Sequence, residues 1–349
     1  MRPKDERAEL WDGARSGVQA AQDVFNADEA GDIGSVPNVL PDLIHGAKVV
    51  YTDIGHAGPK GTFSRFVAGS TKVDGLAKLL QSVTVKPLRP LLNELRLTKS
   101  DAELMCMRQA GSVSGAVFTE AMRNAHRSEK QLWADLGYGF KTQGLDGEAY
   151  VPVIAGGLNG LSIHYVRNDA LLDPDQMVLV DAGGEYGGYI TDITRTWPID
   201  GRFSDAQRDM YDMILAVQQS CISLCREDAD MSLDKLHRIA ESGLRNGLKD
   251  LGFDMSSDAL ETLFPHHVGH YIGLEVHDAP GQSRTGRLRE NHCITIEPGI
   301  YVPENERWPE RFRGLAIRIE DSVRVGKEKV EVLTATAVKD ARDIEDLRG

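Results

Sequence analysis

The chain has 349 residues and a formal net charge of −13, from 40 lysines and arginines against 53 aspartates and glutamates, with ten histidines besides. Such a length allows a large core and one to three domains, and 41% hydrophobic with 27% charged residues excludes wholesale disorder, a collagen-like repeat and a disulfide scaffold. The acid excess argues against a nucleic-acid backbone or an anionic membrane surface as main partner, because like charges repel within a Debye length. No apolar run reaches the roughly 18 residues that would cross a bilayer. The opening MRPKDERAELWDG has neither a hydrophobic signal core nor the acid-poor character of a mitochondrial presequence. The four cysteines, Cys106, Cys221, Cys225 and Cys293, are too few for a disulfide framework, and Cys221 and Cys225 read as small buried hydrophobes.

In chain order, residues 5–26 predict one amphipathic helix, with Leu10, Trp11, Ala14, Val18, Ala21 and Phe25 at helical spacing. Residues 27–98 mix short apolar runs such as VVYTDI with a helix-like DGLAKLLQSV, broken by Gly, Pro and Asp, and read as part of a domain. From Lys99 the pattern becomes regular. Ser100, with Asp101 and Glu103 in the first turn, predicts a helix to about Asn124, and Ser128 and Glu129 open another to about residue 141. AYVPVIAG, LSIHYV, MVLVDAG and YITDITRTW then read as strands. The order repeats: Ser204 caps a helix to about Arg226, Ser232 another to about Leu251, and HHVGHYIG, CITIEPGIYV, LAIRIEDSVRV and VEVLTA form a second strand set. Two helices then four strands, twice over, predict an internal pseudo-repeat and an α+β domain with helices backing a curved, mostly antiparallel sheet.

The densest chemical signal is MVLVDAGGEYGGYITDITRTW. Asp181 ends one apolar strand and Asp192 sits within the next, so a hairpin centred on the Tyr186–Gly187 link would set the two carboxylates opposite each other. Facing carboxylates repel unless a proton or a cation lies between them. Glu297 and Glu320 are also embedded in apolar runs, where an unpaired charge would cost several kcal/mol. An ion pair of Glu320 with Arg318 is the plainer explanation for that one residue, but four carboxylates in this pattern favour a metal. PHHVGHYIGLEVHD adds His266, His267, His270 and His277, and LSIHYV adds His164. An oxygen-rich set with one imidazole suits a pair of hard or borderline divalent ions, Mn²⁺, Co²⁺ or Zn²⁺, rather than a thiolate zinc site.

DAGGEYGGYITDITRTW, HHVGHYIGLEVHD, ITIEPGIYVP and FRGLAIRIED resemble the metallopeptidase family of Xaa-Pro aminopeptidases, prolidases and methionine aminopeptidases, whose fold is called pita-bread, from about Lys99 to the C-terminus. AYVPVIAGGLNGLSIHYVRND and the PERFRG loop are most like its mitochondrial-type, intermediate-cleaving subgroup. The resemblance implies metal ligands at Asp181, Asp192, His270, Glu297 and Glu320, holding two ions, with Mn²⁺ foremost. It implies Glu297 as proton acceptor and donor, His277 and His164 as transition-state helpers, and substrate contacts from His164, His266, His277, Arg284 and Arg318. It further implies domains at 1–98 and 99–349, the first the later part of an N-terminal α/β domain whose beginning lies before Met1. On that view peptide binding and homodimerisation are weakened relative to a longer chain. The implied activity is removal of one N-terminal residue from peptides, Xaa-Pro or processed mitochondrial precursors. A prolidase-type dipeptidase, a non-catalytic binding module and an inactive short form are the alternatives. The implied compartment is mitochondrial, with cytoplasmic or nuclear placement open because this chain shows no presequence.

Overall fold

The computed structural model describes residues 1–53, residue 80 and residues 83–348. Its contacts divide the chain into Met1–Leu92 and Asn93–Gly349. In the first unit the single helix anticipated over 5–26 is two, α1 (Glu6–Asp12) and α2 (Gly17–Asp23). Gly13, just past α1, and Gly17, which opens α2, take φ of 83° and 74°, so a right-handed helix cannot run on through them. Of the apolar stripe, Leu10, Trp11 and Phe25 are exposed. A third helix, α3 (Val36–Ile44), precedes β1 (Val49–Tyr51), which pairs in parallel with β2 (Thr84–Lys86). Most of DGLAKLLQSV lies outside the described residues.

Helix α4 (Arg89–Leu97) leads to α5 (Asp101–Arg123), whose start is locked by a reciprocal capping box between Ser100 and Glu103. Ser128 caps α6 (Glu129–Thr142), Ser204 caps α7 (Asp205–Ser223) with Gln207 reaching back, and Ser232 caps α8 (Leu233–Asp250). Each such cap contributes about 1 kcal/mol. Helix α8 buries Leu233, Leu236, Ala240, Leu244 and Leu248, the three-and-four spacing of a one-sided helix. A short α9 (Ala259–Leu263) and a terminal α10 (Ala341–Asp346) complete the α-helices named among the described residues.

The strands of the second unit pair antiparallel throughout. One sheet orders β4 (Val153–Gly156), β5 (Met177–Ala182) and β8 (Ile193–Pro198). A second joins β3 (Gly147–Glu148), β6 (Gly184–Tyr186) and β7 (Tyr189–Ile190). A third orders β13 (Glu331–Val332), β12 (Asp321–Arg324) and β9 (Cys293–Ile296), and β10 (Gly299–Tyr301) pairs with β11 (Ala316–Arg318). A main core, including Phe118, Leu132, Trp197, Tyr211, Leu236, Ile296 and Ile317, runs through both helix pairs and the sheets other than the second, while Ile190 of β7 packs with Leu104 and Met107 in a smaller cluster. The described residues contain no helix long and apolar enough to cross a membrane.

Two anticipated strands are loops. LSIHYV follows a 3₁₀ turn at Gly157–Leu161 because its surroundings bond to Glu129 instead of to a neighbouring strand. That fully buried carboxylate accepts from the N–H groups of Gly156 and Ala170, the Asn159 amide and the Tyr165 hydroxyl, all within 2.9 Å. HHVGHYIG runs beside β9 with a single bridge, Tyr271 to Ile294. Its ladder is interrupted where the His270 N–H donates to the Thr295 hydroxyl at 3.1 Å rather than to a carbonyl. Cys221 and Cys225 are buried free thiols, as their setting implied.

Candidate metal centre

The turn of the hairpin falls at Gly187–Gly188, with φ of 59° and 82°, the positive pair that a two-residue turn between twisted strands needs. The register is therefore two residues from the anticipated one: Asp181 faces Thr194, not Asp192. Asp192 does not lie within a strand either. It sits in the break between β7 and β8, its main-chain N–H donating to the Ser322 hydroxyl and its carbonyl accepting from it, at 3.0 and 2.9 Å. Glu297 occupies the break between β9 and β10, and Glu320 the break between β11 and β12, tied back to Thr194 by an isolated bridge. Breaks of this kind re-aim side chains that a regular pleat would send elsewhere.

The five residues singled out as ligands converge. Ligand atoms of Asp192, His270 and Glu320 all lie within 4.8 Å of one another. His270 Nε2 is 3.5 Å from Asp192 Oδ2 and 3.6 Å from Glu297 Oε1. Its Nδ1 lies 3.1 Å from the Tyr271 carbonyl, which fixes the ring and leaves Nε2 facing the carboxylates. Asp181 joins through the Tyr150 hydroxyl, which is 2.7 Å from Asp181 Oδ1 and also bonds Asp192. The Arg318 guanidinium donates to Asp181 Oδ2 at 2.6 Å, to the Tyr301 hydroxyl at 2.6 Å and to Thr194 at 2.9 Å. Arg318 thus pairs with Asp181, and the ion pair with Glu320 considered above does not form; Glu320 accepts instead from the Thr194 hydroxyl at 2.6 Å.

The electrostatics follow from four buried carboxylates sharing one guanidinium, Arg318, and one imidazole, His270. Burial and the charge of Asp192 push Asp181 up to about 6 despite Arg318. Burial pushes Glu297 up to about 7, and burial with the charges of Asp192, Glu297 and Asp181 holds Glu320 far above the usual carboxylate range. Burial would raise Asp192 too, but the hydrogen bond and charge of His270 bring it below its ordinary value. Burial opposes the charge on His270, yet Asp192 and Glu297 push that imidazole up to about 9. The set is thus an oxygen-rich cage short of positive charge, with one imidazole, and its donors fit divalent cations.

Around it stand the other residues anticipated from the sequence. His277 is exposed, its ring centroid 4.6 Å from that of His270 and edge to face. His164 is exposed on the loop after the 3₁₀ turn, near enough for its charge to be felt by His277. His266 lies 3.0 Å from the Tyr301 hydroxyl and 3.7 Å from Glu297, and burial together with Arg318 pushes it down to about 3. Arg284 touches no ligand side chain; it bonds Asp234 and the Gly269 carbonyl, the peptide immediately before His270. Sequence reasoning missed Tyr150, Thr194, Tyr301 and Ser322. Tyr150 becomes visible only once Val153 is known to face Asp181.

Residues 105–327 match metallopeptidase family M24, and residues 1–51 match the aminopeptidase P N-terminal domain. The chain belongs to family M24, and its α+β fold is the pita-bread fold of that family's aminopeptidases. It is 42% identical to intermediate cleaving peptidase 55 of Saccharomyces cerevisiae, over 99% of this chain and 69% of that protein. It is 37% identical to Xaa-Pro aminopeptidase 3 of Mus musculus, over 99% of this chain and 68% of that one. The crystal structure of the Saccharomyces cerevisiae Icp55 with 58 N-terminal residues deleted superposes with a TM-score of 0.92 at 41% identity, covering 99% of this chain and 80% of that one.

Proposed function

We propose that the chain is a dinuclear-metal aminopeptidase that removes a single N-terminal residue from peptides, with Asp181, Asp192, His270, Glu297 and Glu320 as ligands and Mn²⁺ as the preferred ion. The observation that carries this reading is the convergence of Asp192, His270 and Glu320 within 4.8 Å in a chain of this family. When bound, divalent ions supply Lewis acidity that makes water a nucleophile near neutral pH. Glu297, a ligand that would lie beside the attacking water, is the proton carrier: it takes a proton from that water and returns it to the leaving nitrogen. His277, edge to face with His270 and pushed toward its neutral form by partial desolvation on that side and by the charge of His270, donates to the oxyanion that develops on the carbonyl. His164 faces the leaving side, and His266, kept neutral and tied to Tyr301, lines the substrate cleft. Arg318 acts by holding Asp181 and Tyr301, and Arg284 by holding the peptide before His270. We assign residues 1–98 to the N-terminal domain and 99–349 to the catalytic domain, the match to the aminopeptidase P N-terminal domain supporting the first.

The test is product analysis after incubating the purified chain with Mn²⁺ and peptides of four or more residues, with and without Pro second. Release of one free amino acid, abolished by a chelator, is the expected outcome. Cleavage of dipeptides alone, or undiminished turnover in the chelator, contradicts it.

A further inference from the structure

We propose that Arg96, Lys99 and Asp278 are positioning residues that set the imidazole of His277 over His270; the proposal rests on the role given to His277 above. The His277 side chain makes no hydrogen bond among the described residues, so its place is decided by its backbone and by the ring of His270, 4.6 Å away. That backbone is anchored one residue on. The Asp278 side chain is 1% exposed and accepts from Lys99 Nζ at 3.1 Å and from the Arg96 guanidinium. Lys99 is equally buried, at 1%. The Asp278 N–H donates to the Tyr271 carbonyl at 2.9 Å, the same oxygen that lies 3.1 Å from His270 Nδ1. Asp278 therefore ties the loop that carries His277 in two directions, its carboxylate to Lys99 and Arg96 and its main-chain N–H to the peptide that orients the ligand histidine.

The surroundings are built for this grip. Arg96 also reaches Glu275 at 3.3 Å, and the Asn93 amide donates to the Pro280 carbonyl at 2.9 Å, so α4 holds the loop on both sides of His277. A Cβ on Gly273 would lie 2.5 Å from Asp278 Oδ2 and 2.9 Å from Lys99 Cε, so the loop backbone packs directly onto the pair. A buried ion pair is a poor stability device, since a well-packed apolar pair of similar volume often does as well. What it fixes better than packing is direction, and a displacement of about 1 Å at a reacting group costs on the order of 100-fold in rate.

The experiment measures kcat, KM and metal content for Lys99→Met, Asp278→Asn and the paired Lys99→Met/Asp278→Leu, each in the parent chain and in a His277→Ala background, with Mn²⁺ bound. Asp278→Asn leaves the buried Lys99 without its carboxylate and can unfold the chain, whereas Lys99→Met leaves Asp278 with Arg96; the paired variant removes both buried charges, Arg96 keeping Glu275, and carries the decision if the single variants unfold. The expected result is a fall in kcat of about tenfold or more, KM within about twofold, unchanged metal content, and no further loss once His277 is already alanine. An equal loss in both backgrounds, or no loss in the parent, overturns the proposal. If His277→Ala alone turns over like the parent, the role given to His277 has failed instead, and that outcome is read before any Lys99 variant is made.

Discussion

Asp192 and Glu297 are both carboxylates beside the same imidazole, yet one is held below its ordinary range and the other pushed up to about 7. The difference is the hydrogen bond that His270 gives Asp192, and it makes the stability of the metal-free chain depend on pH. From about 4.5 upward the folded chain keeps the Glu297 proton while the unfolded chain releases it. That contribution is complete below 4.5 and is lost as pH rises through 7. Asp181 at about 6 and His270 at about 9 lose theirs in the same direction, whereas His266, pushed down to about 3, works oppositely below 6.5. In a chelator, the wild type should therefore lose melting temperature relative to Glu297→Gln as pH rises from about 5 to about 8; calorimetric scans showing a constant gap would count against it. The two histidines in edge-to-face contact differ in kind. His277→Ala should keep its metal and lose roughly 10²–10³-fold in kcat, whereas His270→Ala should lose metal, and metal analysis beside kinetics checks both. The ligand types were legible in the sequence because a carboxylate in apolar surroundings needs a cation or a proton. Tyr150, Thr194 and Ser322 were not, because a hydroxyl in strand-like sequence has no such need.

At the scale of elements, the serine caps at Ser100, Ser128, Ser204 and Ser232 were readable because each is a local arrangement of side chain and first turn. The strand breaks at Asp192, Glu297 and Glu320 were not, because hydroxyls and carbonyls far away in sequence make them. Periodicity sees a continuous apolar run and reports one strand. The hairpin register failed for a related reason: the chain has two Gly-Gly pairs near the turn, and only the second takes positive φ at both positions. The first pair serves another purpose. A Cβ on Gly183 would lie 1.8 Å from the Thr191 carbonyl, on the peptide that leads into Asp192. Gly183→Ala should therefore cost about 1–3 kcal/mol and weaken Mn²⁺ binding by displacing Asp192. Gly147→Ala, whose Cβ meets nothing within 4 Å, serves as the control in thermal melts and metal titration.

Across the whole molecule, the site is divided between the two halves of the pseudo-repeat. Asp181 and Asp192 come from the first helix-pair-and-strand set, and His270, Glu297 and Glu320 from the second, with the bridge from Thr194 to Glu320 joining them. Cations held by these five residues would join the two halves, so they would bind the folded chain and not the unfolded one, and saturating metal should raise the melting temperature. The −13 charge belongs to the same account, since an acidic chain concentrates cations around it. The first unit contributes none of the five proposed ligands, and its described part leaves Leu10, Trp11, Phe25 and Leu43 exposed.

The most direct test of the account is the Mn²⁺ stoichiometry of the purified chain beside Asp192→Ala and Glu320→Ala. Close to two equivalents in the parent and loss of both in either variant are expected, because Asp192 and Glu320 stand together with His270 at the centre of the set. Full stoichiometry in either variant would contradict it.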